Sequence, residues 1–226
     1  MFCDIQMRPA TIIFDWDNTL VDSWVCIQES YNMTFRHFGM PEWSMDETRR
    51  NVARSLRDSF PVLFGKSWEE AREVFYRSFE SVHLSHLQPL PGAADMLGEL
   101  SDLGVRLAVV SNKVGSYLRV EAERLGWDSR FSALIGATDA VADKPDPAPV
   151  IMVMGEAIAT VDTAWFVGDS AVDMQCAVNS GCRPILLRPE PPSASEFSGY
   201  APHCHISCCA DLTALVRELP VPISGN

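Results

Sequence analysis

The segment Asp15-Trp16-Asp17-Asn18-Thr19-Leu20 follows directly on the apolar run Thr11-Ile12-Ile13-Phe14. Two carboxylates two residues apart at the end of a predicted strand repel each other, and that repulsion favours a cation. Hard oxygen donors of this kind suit Mg²⁺. With the charge neutralised, one Asp can attack a phosphoryl group while the other moves protons. A helix cap or a turn can produce the same local pattern, so its meaning depends on what else reaches that edge of the fold.

Three further polar clusters follow. Ser111-Asn112-Lys113 comes directly after the apolar Leu107-Ala108-Val109-Val110. A hydroxyl and an amide there can donate to phosphate oxygens, and the N-terminus of the next helix adds positive potential. The alternative is that Ser111 and Asn112 cap that helix. Asp143-Lys144-Pro145-Asp146-Pro147 sets Lys144 in a stiff turn just before a helix. A cation so placed can hold both a nucleophilic carboxylate and a transferring phosphoryl group; alternatively it is an exposed lysine in a Pro-rich turn. In Phe166-Val167-Gly168-Asp169-Ser170-Ala171-Val172-Asp173, Gly168 permits close backbone approach. Asp169 sits where the chain turns and can ligate a metal. Asp173, one helical turn later, can face the same point. Otherwise Asp169 is an N-cap and Asp173 a surface residue.

The elements that must position these groups alternate. Predicted strands lie at Thr11–Phe14, Arg106–Val110, Ser132–Ile135, Ala164–Val167 and Arg183–Leu187, with helices at Gly115–Leu125, Pro147–Ala159 and Ala171–Ser180. Alternation of this kind predicts a parallel sheet covered by helices on both faces. All four clusters then fall at the carboxyl ends of strands, where open α/β sheets bind ligands. Between the first two strands lie more residues than one crossover needs. They read as helices Trp24–Phe38, Met45–Leu56 and Trp68–His86, broken at Gly39-Met40-Pro41 and from Pro61 to Gly65. We expect an α/β core domain formed by residues 1–22 and 88–226, with a helical cap domain, 23–87, inserted after the first strand. The candidate hinges are Asp22-Ser23 and Gln88–Gly92.

The net charge of −12 argues against nucleic acid or an anionic membrane surface as the main partner. Residues 24–86 carry eight Lys/Arg against nine Asp/Glu, while the rest of the chain carries ten against twenty-one. An anionic substrate therefore needs local cations to overcome the field of the core. No uninterrupted apolar run reaches the roughly 18 residues of a membrane span, and Met1 to Ala10 lacks a signal peptide's apolar core. Seven scattered cysteines read most simply as reduced thiols of a cytoplasmic protein. His203-Cys204-His205-Ile206-Ser207-Cys208-Cys209 is rich in metal-ligand types, but the ligands crowd together without zinc-site spacing. A short strand running into a final helix is the plainer reading.

The order and spacing of Asp15-x-Asp17, Ser111, Lys144 and Gly168-Asp169-x-x-x-Asp173 resemble the haloacid dehalogenase-like superfamily with a helical cap of the C1 type. Asp22-Ser23, Ser111-Asn112-Lys113, Lys144-Pro145 and Gly168-Asp169-Ser170 are most similar to its phosphoglycolate phosphatase-like branch. Trp16 and Asn18 stand where an apolar residue and Gly are commoner, and Asn179-Ser180 where Ala-Ala is more usual. The resemblance implies a Rossmann-like α/β core and a phosphoric monoester hydrolase working through an aspartyl-phosphate. In it Asp15 is the nucleophile, and Asp17 protonates the leaving alcohol and then deprotonates the hydrolytic water. Mg²⁺ is held by Asp15, the Asp17 carbonyl and Asp169, with Asp173 nearby, while Ser111, Asn112 and Lys144 bind the phosphoryl group. Dehalogenases of the superfamily lack an acid at the position of Asp17.

The expected partner is a small phosphorylated metabolite. A phosphomutase of the same fold keeps every one of these residues, and a non-enzymatic binding protein is the third possibility. In this class the cap supplies substrate contacts. Arg50, Arg54 and Arg57, at i, i+4 and i+7 of one predicted helix, would share a face able to bind a carboxylate or second phosphate. Their alternative is a solvated face paired with Asp46, Glu47 or Asp58. Oligomeric state is left open.

Overall fold

A computed structural model describes residues 4–52, 56–155, 163–193 and 195–221, apart from the side chains of Arg57 and Asp58. In chain order its elements are β1 (Thr11–Phe14), β2 (Val21–Asp22), α1 (Trp24–His37), α2 (Met45–Asn51), α3 (Leu56–Phe64), α4 (Trp68–Val82), β3 (Gln88–Pro89), α5 (Ala93–Asp102), β4 (Arg106–Val114), α6 (Gly115–Arg124), β5 (Leu134–Ala137), α7 (Ala148–Met154), β6 (Ala164–Gly168), α8 (Ala171–Asn179), β7 (Arg183–Leu187), β8 (Cys204–Ile206) and α9 (Cys209–Glu218). The chain divides into two compact units, Met1–Val21 with Pro89–Asn226, and Asp22–Gln88.

The first unit is an α/β Rossmann-like core. Its six strands run parallel in the order β5-β4-β1-β6-β7-β8. β1 lies inside the sheet, with Thr11 opposite Arg106 on one side and Ala164 on the other. β1, β6 and β7 are buried along their whole length, which is why they read as largely apolar runs rather than alternating ones. Each of Ile12, Ile13 and Phe14 is fully buried, a contribution of about 1.5–3 kcal/mol apiece. β1 stops where the first carboxylate appears. Asn18 then adopts φ 62°, a left-handed conformation that Asn tolerates, and its amide donates to Val21 O at 2.7 Å.

β4 runs four residues beyond its predicted end. Its register against β5 breaks between Val110 and Val114, so Ser111-Asn112-Lys113 forms an irregular stretch of the strand. The N-cap of α6 is Val114, so Ser111 and Asn112 do not cap that helix. At Gly136 a Cβ would lie 2.4 Å from Gly115 Cα, so the glycine lets the end of β5 meet the start of α6. α5 and the short β2–β3 pair are elements that the strand-and-helix reading omits. The strand into a final helix at 203–209 is present as β8 and α9. Cys204 is disulfide-bonded, which corrects the expectation of seven reduced thiols. Among the described residues no helix is long and apolar enough to cross a membrane.

The second unit is helical, with α1 packed mainly on α4. Its core is aromatic: Tyr31 lies 5.8 Å from Phe35, 5.1 Å from Trp43, 5.7 Å from Phe60 and 5.0 Å from Phe75, centroid to centroid. Ser30, Thr34 and Ser78 are buried here because each hydroxyl donates to the carbonyl one turn back. Two expectations are corrected. Pro61 lies inside α3 rather than breaking it; its neighbour Phe60 is fully buried against Tyr31, Phe64 and Phe75, and that packing outweighs the lost backbone bond. The helix expected over Met45–Leu56 ends at Asn51. A capping box of Ser44 and Glu47 anchors only its start, while Asn51 and β-branched Val52 are weak helix formers.

Candidate active site

Lys144 is the centre of the site. Its side chain is 2% exposed, and Nζ donates to Asp15 Oδ1 at 2.6 Å and Asp173 Oδ1 at 2.7 Å. An ammonium on a four-carbon stem needs its backbone fixed to hold such a place. Asn112 does this: its Nδ2 donates to Lys144 O at 3.0 Å and its Oδ1 accepts from Lys144 N at 2.9 Å. The structure thus engages the Asn112 side-chain oxygen and one of its two N–H groups with the lysine backbone. Ser111 is buried at the same strand end and accepts from the Lys113 amide at 3.2 Å.

The carboxylates converge from β1 and β6. Gly168 lets the chain turn hard against α8, since a Cβ there would come within 2.4 Å of Asp173 Cβ. Asp173 is fully buried, which rules out the surface reading. Its Oδ2 accepts from Ser170 N at 3.0 Å and Ser170 Oγ at 2.5 Å, and Ser170, not Asp169, is the N-cap. Oxygens of Asp15, Asp169 and Asp173 all lie within 4.8 Å of one another. Three carboxylates thus share one ammonium. Burial pushes Asp15 up to about 7, Lys144 pulling against it and Asp173 and Asp17 pushing with it. Burial, then the charges of Asp173 and Asp15, push Asp169 well above the usual carboxylate range. Burial disfavours the Lys144 ammonium, but Asp15 and Asp173 outweigh it and hold it protonated. Such a cluster of hard oxygens, short of positive charge, fits a divalent cation. No other group of potential metal ligands is found among the described residues. In the 203–209 segment, His205 faces Arg188 O at 2.8 Å and His203 lies 2.7 Å from Arg183.

Asp17 stands apart from that cluster and is 24% exposed. Lys113 Nζ donates to Asp17 Oδ1 at 2.7 Å and to Glu121 Oε2 at 2.6 Å. Burial works against the Lys113 ammonium, but Asp17 and Glu121 together raise its proton affinity. Sequence reasoning missed Glu121, because a glutamate in an amphipathic helix reads as solvent-facing. One signal pointed to it: a buried indole N–H usually finds an acceptor, and that of Trp16 donates to Glu121 Oε2 at 2.7 Å.

Arg50 is exposed on α2. Because α2 ends at Asn51 and α3 starts at Leu56, the one helix on which Arg50, Arg54 and Arg57 would share a face is not formed. Arg54 and the Arg57 side chain lie outside the described residues. Arg49, which was not singled out, stacks over Trp24 at 5.5 Å.

Polar groups at four strand ends of a parallel sheet, with buried carboxylates around a fixed lysine, define an α/β enzyme built for displacement at an anionic centre. Residues 12–187 match the model of the haloacid dehalogenase-like hydrolases, and the chain belongs to that family. It is 26% identical to the phosphoglycolate phosphatase of Caulobacter vibrioides, over 97% of this chain and 98% of that one. It is 27% identical to the phosphoglycolate phosphatase of Yersinia pestis, over 89% and 90%. Among solved structures, a haloacid dehalogenase-like family hydrolase from Streptococcus pneumoniae shares the fold with a TM-score of 0.81. That pair is 22% identical and covers 92% and 98% of the two chains.

Proposed function

We propose that this protein is a Mg²⁺-dependent phosphatase that hydrolyses a small phosphomonoester of the phosphoglycolate type through an aspartyl-phosphate. The observation that carries the reading is the bond from buried Lys144 to Asp15, with a second, more exposed carboxylate at Asp17. Asp15 Oδ attacks phosphorus, the bond from phosphorus to the leaving oxygen breaks, and Asp17 gives that oxygen its proton. Asp17 then takes a proton from water as the water attacks the phosphoryl group, which restores Asp15 and frees inorganic phosphate. Lys144 and Ser111 hold the phosphoryl oxygens. Asp15, the Asp17 carbonyl and Asp169 would hold Mg²⁺, with Asp173 behind them, its oxygens engaged by Lys144 and Ser170. The ion supplies the positive charge that keeps Asp15 ionised and offsets the negative charge of the phosphoryl group. Positioning and charge neutralisation are what phosphoryl transfer most requires.

The helical unit is assigned to substrate selection in this reading, with Arg50 a candidate contact for a substrate anion. The relatives' phosphoglycolate phosphatase names support the substrate class, and the acidic net charge fits neither nucleic acid nor an anionic membrane. A phosphate-release screen over phosphorylated metabolites, with and without chelator, tests the reading. Release should be greatest from small carboxylated phosphomonoesters, vanish with chelator and return with Mg²⁺. Chelator-resistant turnover, or an isomerised sugar phosphate in place of free phosphate, would overturn it.

A further inference from the structure

Four side chains form a closed circuit beside the site. The Trp16 indole N–H donates to Glu121 Oε2 at 2.7 Å, the same oxygen accepts from Lys113 Nζ at 2.6 Å, and Nζ donates to Asp17 Oδ1 at 2.7 Å. Trp16 and Asp17 are consecutive, so the backbone completes the ring. The Glu121 side chain is 1% exposed and that of Lys113 5%. Burying such a pair costs several kcal/mol per ion, and well-packed apolar replacements are often neutral or stabilising. Stability is therefore a poor reason for this pair. Fixed geometry at its outer end, Asp17, is a better one. A lysine tied to Asp17 alone could swing on its stem, and Glu121 is the second anchor that stops it. Trp16 in turn holds the Glu121 oxygen and is itself set edge-on against Trp127 at 5.9 Å and Phe131 at 6.4 Å.

We propose that Glu121 is a positioning residue for the reaction: acting through Lys113, it orients the Asp17 carboxyl for proton transfer to the leaving oxygen. The inference rests on the reading of Asp17 as general acid. An ammonium can donate to a carboxyl oxygen whether or not the carboxyl carries a proton, so the anchor persists through the transfer. The proton passes from the Asp17 carboxyl to the leaving oxygen as that oxygen departs from phosphorus with the bonding electron pair. Trp16, unusual beside the catalytic carboxylates, then has a purpose: it fixes the anchor of its own neighbour.

The test compares kcat/KM on two substrates. An alkyl phosphate needs its leaving oxygen protonated; p-nitrophenyl phosphate does not, because its phenolate leaves unaided. Asp17→Asn is the reference and should cut kcat/KM far more on the alkyl ester than on the aryl ester; no such split would overturn the general-acid reading itself. Given that split, Glu121→Gln should lower kcat/KM on the alkyl ester by about tenfold or more, with the aryl ester within about twofold. Equal losses on both, or no loss on either, would overturn the positioning role. Circular dichroism and a thermal melt check the fold of each variant. If Glu121→Gln does not fold, Trp16→Phe decides, with a loss of about two- to threefold expected on the alkyl ester alone. Equal losses there would overturn the proposal too.

Discussion

Beneath the strand ends of the α/β unit, Asp15, Lys144, Asp173 and Glu121 are all buried, with the Lys113 side chain among them. The helical unit buries rings and hydroxyls instead: Tyr31, Phe35, Phe60, Phe75 and Phe79, with Ser30, Thr34 and Ser78 bonded to their own helix backbones. Among its described residues no Asp, Glu, Lys or Arg is buried. Both regions remove polar atoms from water, but they satisfy them differently. A hydroxyl satisfied by the preceding turn costs little. Buried ions that repel one another are tolerated only against a stability penalty. The contrast is between charges held by ion pairing and hydroxyls held by their own helices.

The sharpest break of this comparison is Asp15→Asn. Under the proposed mechanism it should lower phosphate release by at least about a thousandfold, because an amide is no nucleophile. The same change removes a charge that burial and two neighbouring carboxylates disfavour and leaves Asp173 to pair with Lys144, so the melting temperature should hold or rise. Normal turnover in a folded variant would dismiss Asp15 as nucleophile. Phe75→Ala should do the opposite, costing about 3–5 kcal/mol in a denaturant titration while the folded fraction keeps its chemical step. A destabilisation below about 1 kcal/mol would show that the aromatic cluster is not the packing centre of its unit.

A smaller effect follows from the raised carboxylates. Asp15 holds its proton up to about 7 when folded against an ordinary 3.8, so the metal-free folded state binds more protons than the unfolded chain in that window. Metal-free stability should therefore fall as pH rises through it, and Asp169 acts in the same direction. Since Mg²⁺ needs ionised carboxylates, it should raise the melting temperature more at about pH 7.5 than at about pH 5.5. An equal rise at both would place the ion elsewhere. The smallest effect belongs to Arg50→Ala, which should raise KM about threefold or less for a carboxylated substrate and leave an aryl phosphate unchanged. Equal changes on both would return Arg50 to the solvated face.

The parts of the fold legible in the sequence were those governed by local pattern. β1 and β7 have the predicted bounds because strands buried on both faces are largely apolar and do not alternate. The clusters at Asp15, Ser111 and Asp169 were visible because each directly follows an apolar run, and that at Lys144 because prolines mark its turn before a helix. What escaped depends on contacts across the chain. Asn112 and Lys144 are 32 residues apart, and nothing near Asn112 reveals that its amide would engage that backbone. Glu121 escaped because residue type alone placed it in water. Pro61 was read as a breaker because local propensity cannot register the burial of Phe60. The disulfide at Cys204 escaped because seven cysteines without pattern carry no pairing information.

The bond from Lys144 to Asp15 spans 129 residues, and that from Lys144 to Asp173 a further 29. A chain emerging from the ribosome displays Asp15 and Asp17 long before the lysine that partners Asp15 exists. Lys144 comes first, and only when α8 follows does Asp173 complete the cluster around it. Catalytic competence should thus appear late and abruptly during synthesis. Any fragment ending before Asp173 should be inert, however well its first strand is formed.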